Sequence, residues 1–293
     1  MQLTIFTPTY NRQKYLSVLY NSLLNQTNKS FQWIVVDDGS NDKTKEIIEK
    51  FQKENKIIIK YYRQSNSGKH IAHNKGVELC DTELFFCVDS DDYLPLDSIE
   101  TILNSWNNRN YNVEYVGIVA LKGYSNVKVM ANEMPKGVKS STLSDLYNIY
   151  GKKGETALIF QTKYLKENLF PKFENEKFLS EEVVYNELDK IAPLIVLNKI
   201  IYTMEYLDTG LTKNYIKVWK SSPKGTIYLL NSRYNTAAMI KGIRKMYRIS
   251  RVILVRNSFC ISLKIPILDN NPNKLLSIIL YIPSIFVAKF KFK

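Results

Sequence analysis

The sequence is poor in the residues that build disulfide frameworks and metal clusters. It has three cysteines in 293 residues, Cys80, Cys87 and Cys260. Their odd number argues against a disulfide framework and their spacing matches no metal-binding motif, so a reducing compartment is the simplest expectation. The apolar run at residues 3–7 meets Pro8 and lacks a basic leader, which is not the pattern of a signal peptide. The sequence therefore predicts a cytoplasmic protein.

Long apolar runs are also missing. The most apolar segment, residues 275–288, is interrupted by Pro283 and is too short to span the roughly 30 Å hydrocarbon core of a bilayer. Lysines lie on both sides of this segment, at Lys274 and from Lys289 onward. An apolar segment between lysines predicts peripheral association with an anionic membrane surface, here the inner face of the cell membrane.

Acidic residues are outnumbered, and the net charge of +13 predicts an anionic partner, whether membrane surface, nucleic acid or phosphorylated substrate. The charge is concentrated with apolar stretches near the C-terminus and no aromatic-interleaved RNA motif is present, which disfavours nucleic acid. If residues 239–256 form one helix, six basic side chains fall within about 140°: Lys241, Arg244, Lys245, Arg248, Arg251 and Arg256. That arc predicts membrane contact, or else a docked helix with an ordinary solvated basic face.

Strand and helix signals alternate over residues 3–121. Strands are predicted at residues 3–6, 31–36, 57–62 and 84–88, and helices at 14–25, 44–54 and 70–79. This alternation predicts an α/β fold, a Rossmann-like, mainly parallel sheet flanked by helices. A helix at 143–150, strands at 155–161 and 194–206, and a helical region beyond 215 are predicted to follow.

Polar motifs occur in order along this alternating region, one in each strand-to-helix turn. They are Thr7-Pro8-Thr9-Tyr10-Asn11-Arg12, Asp37-Asp38-Gly39-Ser40, Ser65-Asn66-Ser67-Gly68-Lys69-His70, which lacks Walker A spacing, and Asp89-Ser90-Asp91-Asp92. The carboxyl ends of parallel strands meet at one edge of a sheet, where open α/β sheets bind ligands. Asp89 and Asp91 have a spacing that lets both carboxylates act on one hard cation, Mg²⁺ or Mn²⁺. Each motif alone also fits a turn or a helix cap, but four in order predict a shared site.

These motifs, together with Gly68-Lys69-His70-Ile71-Ala72-His73-Asn74-Lys75-Gly76, resemble glycosyltransferase family 2. The resemblance is close over residues 1–125 and looser over 150–210. It implies the GT-A fold, a nucleotide-sugar donor, Mn²⁺ or Mg²⁺, and inversion at the anomeric carbon. It also implies a catalytic domain at 1–214, with a nucleotide-sugar and metal half at 1–125 and an acceptor half at 126–214. Beyond about residue 215 the chain becomes basic and apolar, and this composition predicts a membrane-associating region at 215–293.

The resemblance implies roles for individual residues. The nucleotide-sugar would contact Thr7, Pro8, Tyr10, Arg12, Asp38, Gly68, Lys69, Asn74, Asp89 and Ser90, the first four largely through backbone atoms. Asp38 would accept a hydrogen bond from uracil, which implies a UDP-sugar, and Asp91 with Asp89 would bind the metal. One departure is His73, which stands where many family members have arginine.

An inverting transferase needs a base that takes the proton of the acceptor hydroxyl. The resemblance places this base in an acidic pair that opens a helix, here Glu181 and Glu182, with Glu182 as the base and Glu181 positioning it. Acids in a first helical turn also complement the helix dipole without any chemistry, and the family's pair usually ends in Asp. Residues 206–213 resemble the family's late loop, which often folds over the diphosphate.

The sequence thus predicts transfer of a single sugar to a lipid-linked or oligosaccharide acceptor in capsule, O-antigen or related surface-polysaccharide synthesis. Single transfer is expected because the Gln-x-x-Arg-Trp motif of processive family members is absent. A nucleotidyltransferase acting on sugar phosphates is an alternative, although the Gly-rich phosphate loop expected after its first strand is missing. A basic nucleic-acid-binding protein and a catalytically silent sugar-binding relative are the others.

Overall fold

The computed structural model describes residues 1–204, 215–240 and 242–292, and the chain forms two compact units. The first unit comprises Met1–Pro171 with Glu187–Asp208, and the second comprises Lys172–Asn186 with Thr209–Lys293. The loop at 206–213 that resembles the family's late loop lies outside the described residues.

The first unit contains an eight-stranded sheet and its flanking helices. Its elements in chain order are β1 (Leu3–Thr9), α1 (Leu16–Leu24), β2 (Phe31–Asp37), α2 (Thr44–Glu54), β3 (Ile59–Arg63), α3 (Lys69–Leu79), β4 (Leu84–Cys87), α4 (Ser98–Asn107), β5 (Gly117–Gly123), β6 (Ser140–Ser141), α5 (Leu143–Asn148), β7 (Thr156–Gln161), α6 (Thr162–Glu167), α7 (Glu182–Leu188), which begins in the second unit, and β8 (Leu194–Thr203). The predicted elements are therefore present, with ends that differ by a few residues.

The strand order is β3-β2-β1-β4-β7-β5-β8-β6. The first four strands of this order are parallel, and β7 runs antiparallel between β4 and β5. The predicted mainly parallel sheet is confirmed, and the turns that follow β1, β2, β3 and β4 lie at one edge of it.

Helix α3 lies unusually close to β1. A Cβ atom added at Gly76 would lie 2.3 Å from the Phe6 ring, so only glycine permits this approach. On the other face of the sheet, Trp33 and Phe86 are fully buried in the main core cluster, where full burial of such a side chain contributes about 2–3 kcal/mol. Packing on both faces fixes the strand ends from which the polar turns extend.

The remaining helices belong to the second unit. They are α8 (Tyr215–Ser221), α9 (Pro223–Met239), α10 (Ile243–Ser262), α11 (Lys274–Ile279) and α12 (Tyr281–Lys291), which agrees with the predicted helical region. Within the described ranges, none of the helices combines the length and the apolar character needed to cross a bilayer.

Residues 239–256 do not form one continuous helix, so the condition for the basic arc is not met. Gly242, with φ of +77°, separates α9 from α10. Arg256, which was assigned to a basic surface arc, is fully buried and donates to the carbonyl oxygens of Ile267 and Asp269. It thus fixes the loop after α10 instead of facing an anionic surface.

Candidate active site

The turns after β1 and β2 are joined by hydrogen bonds between backbone and side chains. The backbone N–H of Asn11 donates to Ser40 Oγ at 2.9 Å, and that of Arg12 donates to Thr44 Oγ1 at 3.2 Å. The Tyr10 side chain is 45% exposed on the same turn. The joined turns hold Arg12 in a defined position while Tyr10 stays accessible to a ligand.

Asp38 holds the turn that leads into α3. Its Oδ1 accepts hydrogen bonds from the Ser67 N–H and from Gln64 Nε2, each at 2.8 Å, and its Oδ2 accepts one from the Gly68 N–H at 2.7 Å. A carboxylate has about four acceptor positions, and these bonds use three of them. Asp38 can therefore support the turn and still accept one more hydrogen bond through Oδ2.

Gly68 has a backbone conformation that strongly favours glycine. Its φ of +95° and ψ of 155° place it in a region that side chains with a Cβ rarely adopt. It precedes Lys69, the first residue of α3, so its conformation sets the direction of the Lys69 side chain.

A Gly68→Ala variant is expected to lose about 2 kcal/mol of unfolding free energy and to bind UDP more weakly, because strain at this position moves Lys69. Urea melts and calorimetric UDP titration would measure both effects. Gly137→Ala is the control, since Gly137 also has positive φ (+77°) and has open space around its Cβ position. Equal UDP affinity in the two variants would contradict the role of the Gly68 turn.

The carboxylates after β4 face basic side chains from two other turns. Lys69 Nζ lies 2.7 Å from Asp89 Oδ1, and Arg12 Nη2 lies 3.9 Å from Asp91 Oδ2. Burial alone would raise the pKa of Asp89, but Lys69, Lys122 and Arg12 outweigh it and hold the pKa below its usual value. Both aspartates that were predicted to bind metal thus lie beside cations at the carboxyl edge of the sheet.

These carboxylates fit a divalent cation that is shared with a phosphate ligand. Across the parts of the chain that the structure describes, no group of three or more His, Cys, Asp or Glu side chains forms a complete metal site. Mg²⁺ that is bound together with phosphates usually takes one or two protein carboxylates and fills its remaining positions with phosphate oxygens and water. Asp91 and Asp89 match that incomplete set.

Tyr202, on β8, was not singled out by the sequence but supports this turn directly. Its hydroxyl accepts a hydrogen bond from the Asp89 N–H at 3.0 Å and donates one to Asp92 Oδ2 at 2.6 Å. Burial, together with Asp89 and Asp92, raises the pKa of Tyr202 well above its ordinary value. The phenol therefore stays protonated and fixes the position of both aspartates.

A Tyr202→Phe variant is expected to unfold with roughly 2 kcal/mol less free energy, because it loses a hydrogen bond to a carboxylate. We expect UDP release to slow about tenfold, since the Asp89–Asp92 turn shifts. Tyr20→Phe is the control, because Tyr20 is also buried and donates to a carboxylate, Glu54 Oε2 at 3.0 Å, between α1 and α2. Equal loss of activity in both variants would reduce Tyr202 to a purely structural residue.

Three other predicted donor-site residues are largely enclosed. Thr7 Oγ1 accepts a hydrogen bond from Trp33 Nε1 at 3.0 Å inside the core, where the whole residue is fully buried. Pro8, the next residue, is also buried. Ser90 is buried within the Asp89–Asp92 turn. Contacts of all three with a nucleotide stay predictions.

Asn74 and His73, in the middle of α3, make contacts inside the first unit. The Asn74 amide donates to the Phe170 carbonyl at 2.8 Å and accepts from the Phe170 N–H at 2.9 Å. The buried His73 ring lies edge-on to Phe6, Phe85 and Phe170, with centroids 5.1–5.6 Å apart. The histidine that replaces the family's arginine therefore fills a packing position, and a donor contact of Asn74 stays a prediction.

The acidic pair Glu181 and Glu182 lies in the second unit at the start of α7. Ser180 Oγ accepts from the Glu182 N–H at 3.3 Å, as expected for a residue that precedes a helix. Both Glu182 oxygens accept from Arg233 of α9, from Nε at 2.8 Å and from Nη2 at 2.6 Å. No sequence pattern indicated this two-bond pairing, and the assignment of Glu182 as the base stays a prediction.

Comparison with known proteins identifies the family. The model of glycosyl transferase family 2 matches residues 4–170, and the chain belongs to that family. Glycosyltransferase GlyA of Streptococcus pneumoniae serotype 4 is 27% identical over 256 residues, which cover 74% of this chain and 32% of GlyA. Poly(ribitol-phosphate) beta-N-acetylglucosaminyltransferase TarS of Staphylococcus aureus (strain Mu50) is 26% identical over 170 residues, 57% of this chain and 29% of TarS. The chain thus spans about a third of the length of these two relatives.

Solved structures agree with the fold. The crystal structure of S. aureus TarS 1–349 in complex with UDP-GlcNAc matches with a TM-score of 0.67 at 22% identity, covering 97% of this chain and 79% of that one. Mannosyltransferase PcManGT from Pyrobaculum calidifontis, in complex with GDP-Man and Mn²⁺, matches with a TM-score of 0.57 at 14% identity. The match covers 99% of this chain and 81% of that one. The predicted family and the GT-A fold are confirmed.

Proposed function

We propose that this chain is a cation-dependent, inverting glycosyltransferase that transfers one sugar from a UDP-sugar to a surface-glycan acceptor. The observation that carries the proposal is the meeting of four turns at one edge of the sheet. Lys69 pairs with Asp89, Arg12 lies beside Asp91, and Asp38 holds the turn before Lys69. Carboxylates for a cation and basic groups for phosphates are what binding of a nucleoside diphosphate requires.

Uracil is the favoured base of the donor. Oδ2 of Asp38 has an acceptor position to spare, which suits the imide N–H of uracil, and the exposed Tyr10 ring lies on the neighbouring turn. The similar TarS structure is a complex with UDP-GlcNAc, which supports the same donor class.

Asp91, with Asp89, would hold Mn²⁺ or Mg²⁺, which when bound offsets the charge of the departing diphosphate. The acceptor hydroxyl oxygen attacks C1 from the face opposite the diphosphate. The bond between C1 and the diphosphate oxygen breaks, and its electron pair leaves with UDP. Glu182 takes the hydroxyl proton, and Lys69 and Arg12 orient the phosphates.

The acceptor would be a lipid-linked or oligosaccharide precursor of a capsule or another surface polysaccharide. TarS, by its name, acts on poly(ribitol-phosphate), which supports a surface glycan as the acceptor class. The net charge of +13 supports association of the enzyme with the inner, anionic face of the cell membrane.

The test is UDP release from a panel of UDP-glucose, UDP-galactose and their N-acetyl forms, with Mn²⁺ or Mg²⁺ and without acceptor. Slow hydrolysis of one donor that stops on addition of a chelator is the expected result. If no UDP-sugar is hydrolysed and UDP itself does not bind, the proposed donor class is wrong.

A further inference from the structure

Helices α11 and α12 form one almost continuous rod at the end of the second unit. The Leu280 N–H donates to the Leu276 carbonyl and the Ser284 N–H donates to the Leu280 carbonyl, each at 3.0 Å. The helical hydrogen-bond pattern therefore crosses the junction, and the bond missing there is the one that Pro283, without an N–H, cannot donate.

The polarity of this rod is reversed relative to an ordinary surface helix. Its large apolar side chains face outward and form what we call the apolar stripe: Leu275 (71% exposed), Ile278 (58%), Ile279 (63%), Ile282 (67%), Phe286 (60%) and Phe290 (85%). At 100° per residue these six lie within an arc of about 120°. Ser277 and Ser284, which are fully buried, and Ala288 lie on the opposite side.

The inward side is fixed to α10 by specific hydrogen bonds. Ser277 Oγ donates to Asn257 Oδ1 at 2.6 Å, and Asn257 Nδ2 donates to the Ser277 carbonyl at 2.8 Å. Rotation of the rod to bury the apolar stripe would break these buried bonds. An exposed apolar surface about 22 Å long is larger than soluble proteins usually leave uncovered, and it indicates an interaction site.

Charge decides which partner fits. Residues 215–293 contain 15 of the 41 Lys and Arg residues but one of the 28 Asp and Glu residues, Asp269. Lys274 and Lys289, at the two ends of the apolar stripe, are both exposed. A second copy of the chain would place like charges against each other, whereas anionic lipid headgroups complement the lysines and the acyl region accepts the stripe.

We propose that the apolar stripe lies in the interface of a bilayer that contains anionic lipids, with the rod parallel to the membrane plane and Lys274 and Lys289 at the phosphates. The inference deepens the membrane association proposed above by assigning its surface. Of the two regions that the sequence offered for membrane contact, it selects the apolar segment 275–288 and assigns the contact to the outward face of α11 and α12. The predicted basic arc on residues 239–256, where Arg256 is buried, is not part of that surface. It does not depend on the transfer reaction.

The test is sedimentation of the full chain with sucrose-loaded vesicles of phosphatidylcholine alone or with about 30 mol% phosphatidylglycerol. We expect binding to the mixed vesicles that weakens at high salt. An Ile282→Ser/Phe286→Ser double variant should bind at least tenfold more weakly, because each change removes one large apolar side chain from the interface. Both residues are exposed, so urea melts should match those of the wild type.

The control is Val127→Ser/Ile149→Ser, which alters two side chains that are 90% and 63% exposed in the first unit. Its vesicle binding should equal that of the wild type. Equal binding by the stripe variant, or light scattering that shows a wild-type dimer and a monomeric stripe variant without vesicle binding, would overturn the proposal. UDP release measured without vesicles should be the same in all three proteins, which separates this test from that of the transfer reaction.

Discussion

Asp91→Ala is expected to release UDP from its donor about a thousandfold more slowly than the wild type. A bound divalent cation stabilises the charge on a departing diphosphate by several kcal/mol, and each 1.4 kcal/mol corresponds to about a factor of ten in rate. We propose Asp91 as the main ligand of the pair because Asp89 already pairs with Lys69 at 2.7 Å, whereas Arg12 lies 3.9 Å from Asp91. UDP release with saturating Mn²⁺ would measure the effect.

Asp97→Ala is the matched control for Asp91→Ala. It removes an aspartate of the same unit, which is half exposed, pairs with Lys199 and lies outside the Asp89–Asp92 turn. Its rate should lie within twofold of that of the wild type, and Mn²⁺ should strengthen UDP binding to it but not to Asp91→Ala. Wild-type rates in Asp91→Ala, or wild-type activity that survives a chelator, would rule out the cation site.

The sequence was informative wherever the deciding interactions are local. Strand alternation and turn composition depend on neighbours a few residues apart, so they predicted the parallel half of the sheet and the turns that carry Asp38, Lys69 and Asp89. The residues that stabilise these turns through contacts with other strands were harder to predict from the sequence. Asp37, adjacent to Asp38, accepts from the Tyr61 hydroxyl at 2.7 Å on the neighbouring strand, a contact that depends on strand register.

Contacts between strands that are distant in the sequence and not adjacent in the sheet could not be predicted in the same way. Tyr202 reaches Asp89 and Asp92 from β8, which two strands separate from β4 in the sheet. No local pattern distinguishes this tyrosine from the others in the chain. Gly242, in contrast, was a visible signal against a continuous helix, since glycine inside a helix costs about 1 kcal/mol relative to alanine.

The pairing of Glu182 with Arg233 gives the second large expected effect. The residues are 51 positions apart and pair through two hydrogen bonds, so each is held in one orientation. A carboxylate oxygen that accepts one hydrogen bond keeps a second acceptor position, and the pairing therefore does not prevent Glu182 from accepting a proton. Arg233 would act as a positioning residue that aims this carboxylate.

Glu182→Gln is expected to lower the turnover rate of sugar transfer by 10²–10⁴, because an amide of the same shape cannot take the acceptor proton. The rate of donor hydrolysis should fall as well, because in hydrolysis water replaces the acceptor hydroxyl and its proton must also be taken by the base. The dissociation constant of UDP with Mn²⁺ should stay the same, which titration calorimetry would show. Glu187→Gln is the control on the same helix, because Glu187 pairs with Lys190 at its far end.

Arg233 separates a chemical role of Glu182 from a structural one. If Arg233 aims the base, Arg233→Met should slow transfer about tenfold without changing the KM for the donor, and Arg233→Lys, which retains a charge but not the two-bond geometry, should recover part of the rate. If the pair only stabilises the second unit, Glu182→Gln and Arg233→Met should lower the urea midpoint alike and leave turnover of the folded protein intact. That second outcome would transfer the search for the base to Glu181, whose Gln variant should then carry the full loss of rate.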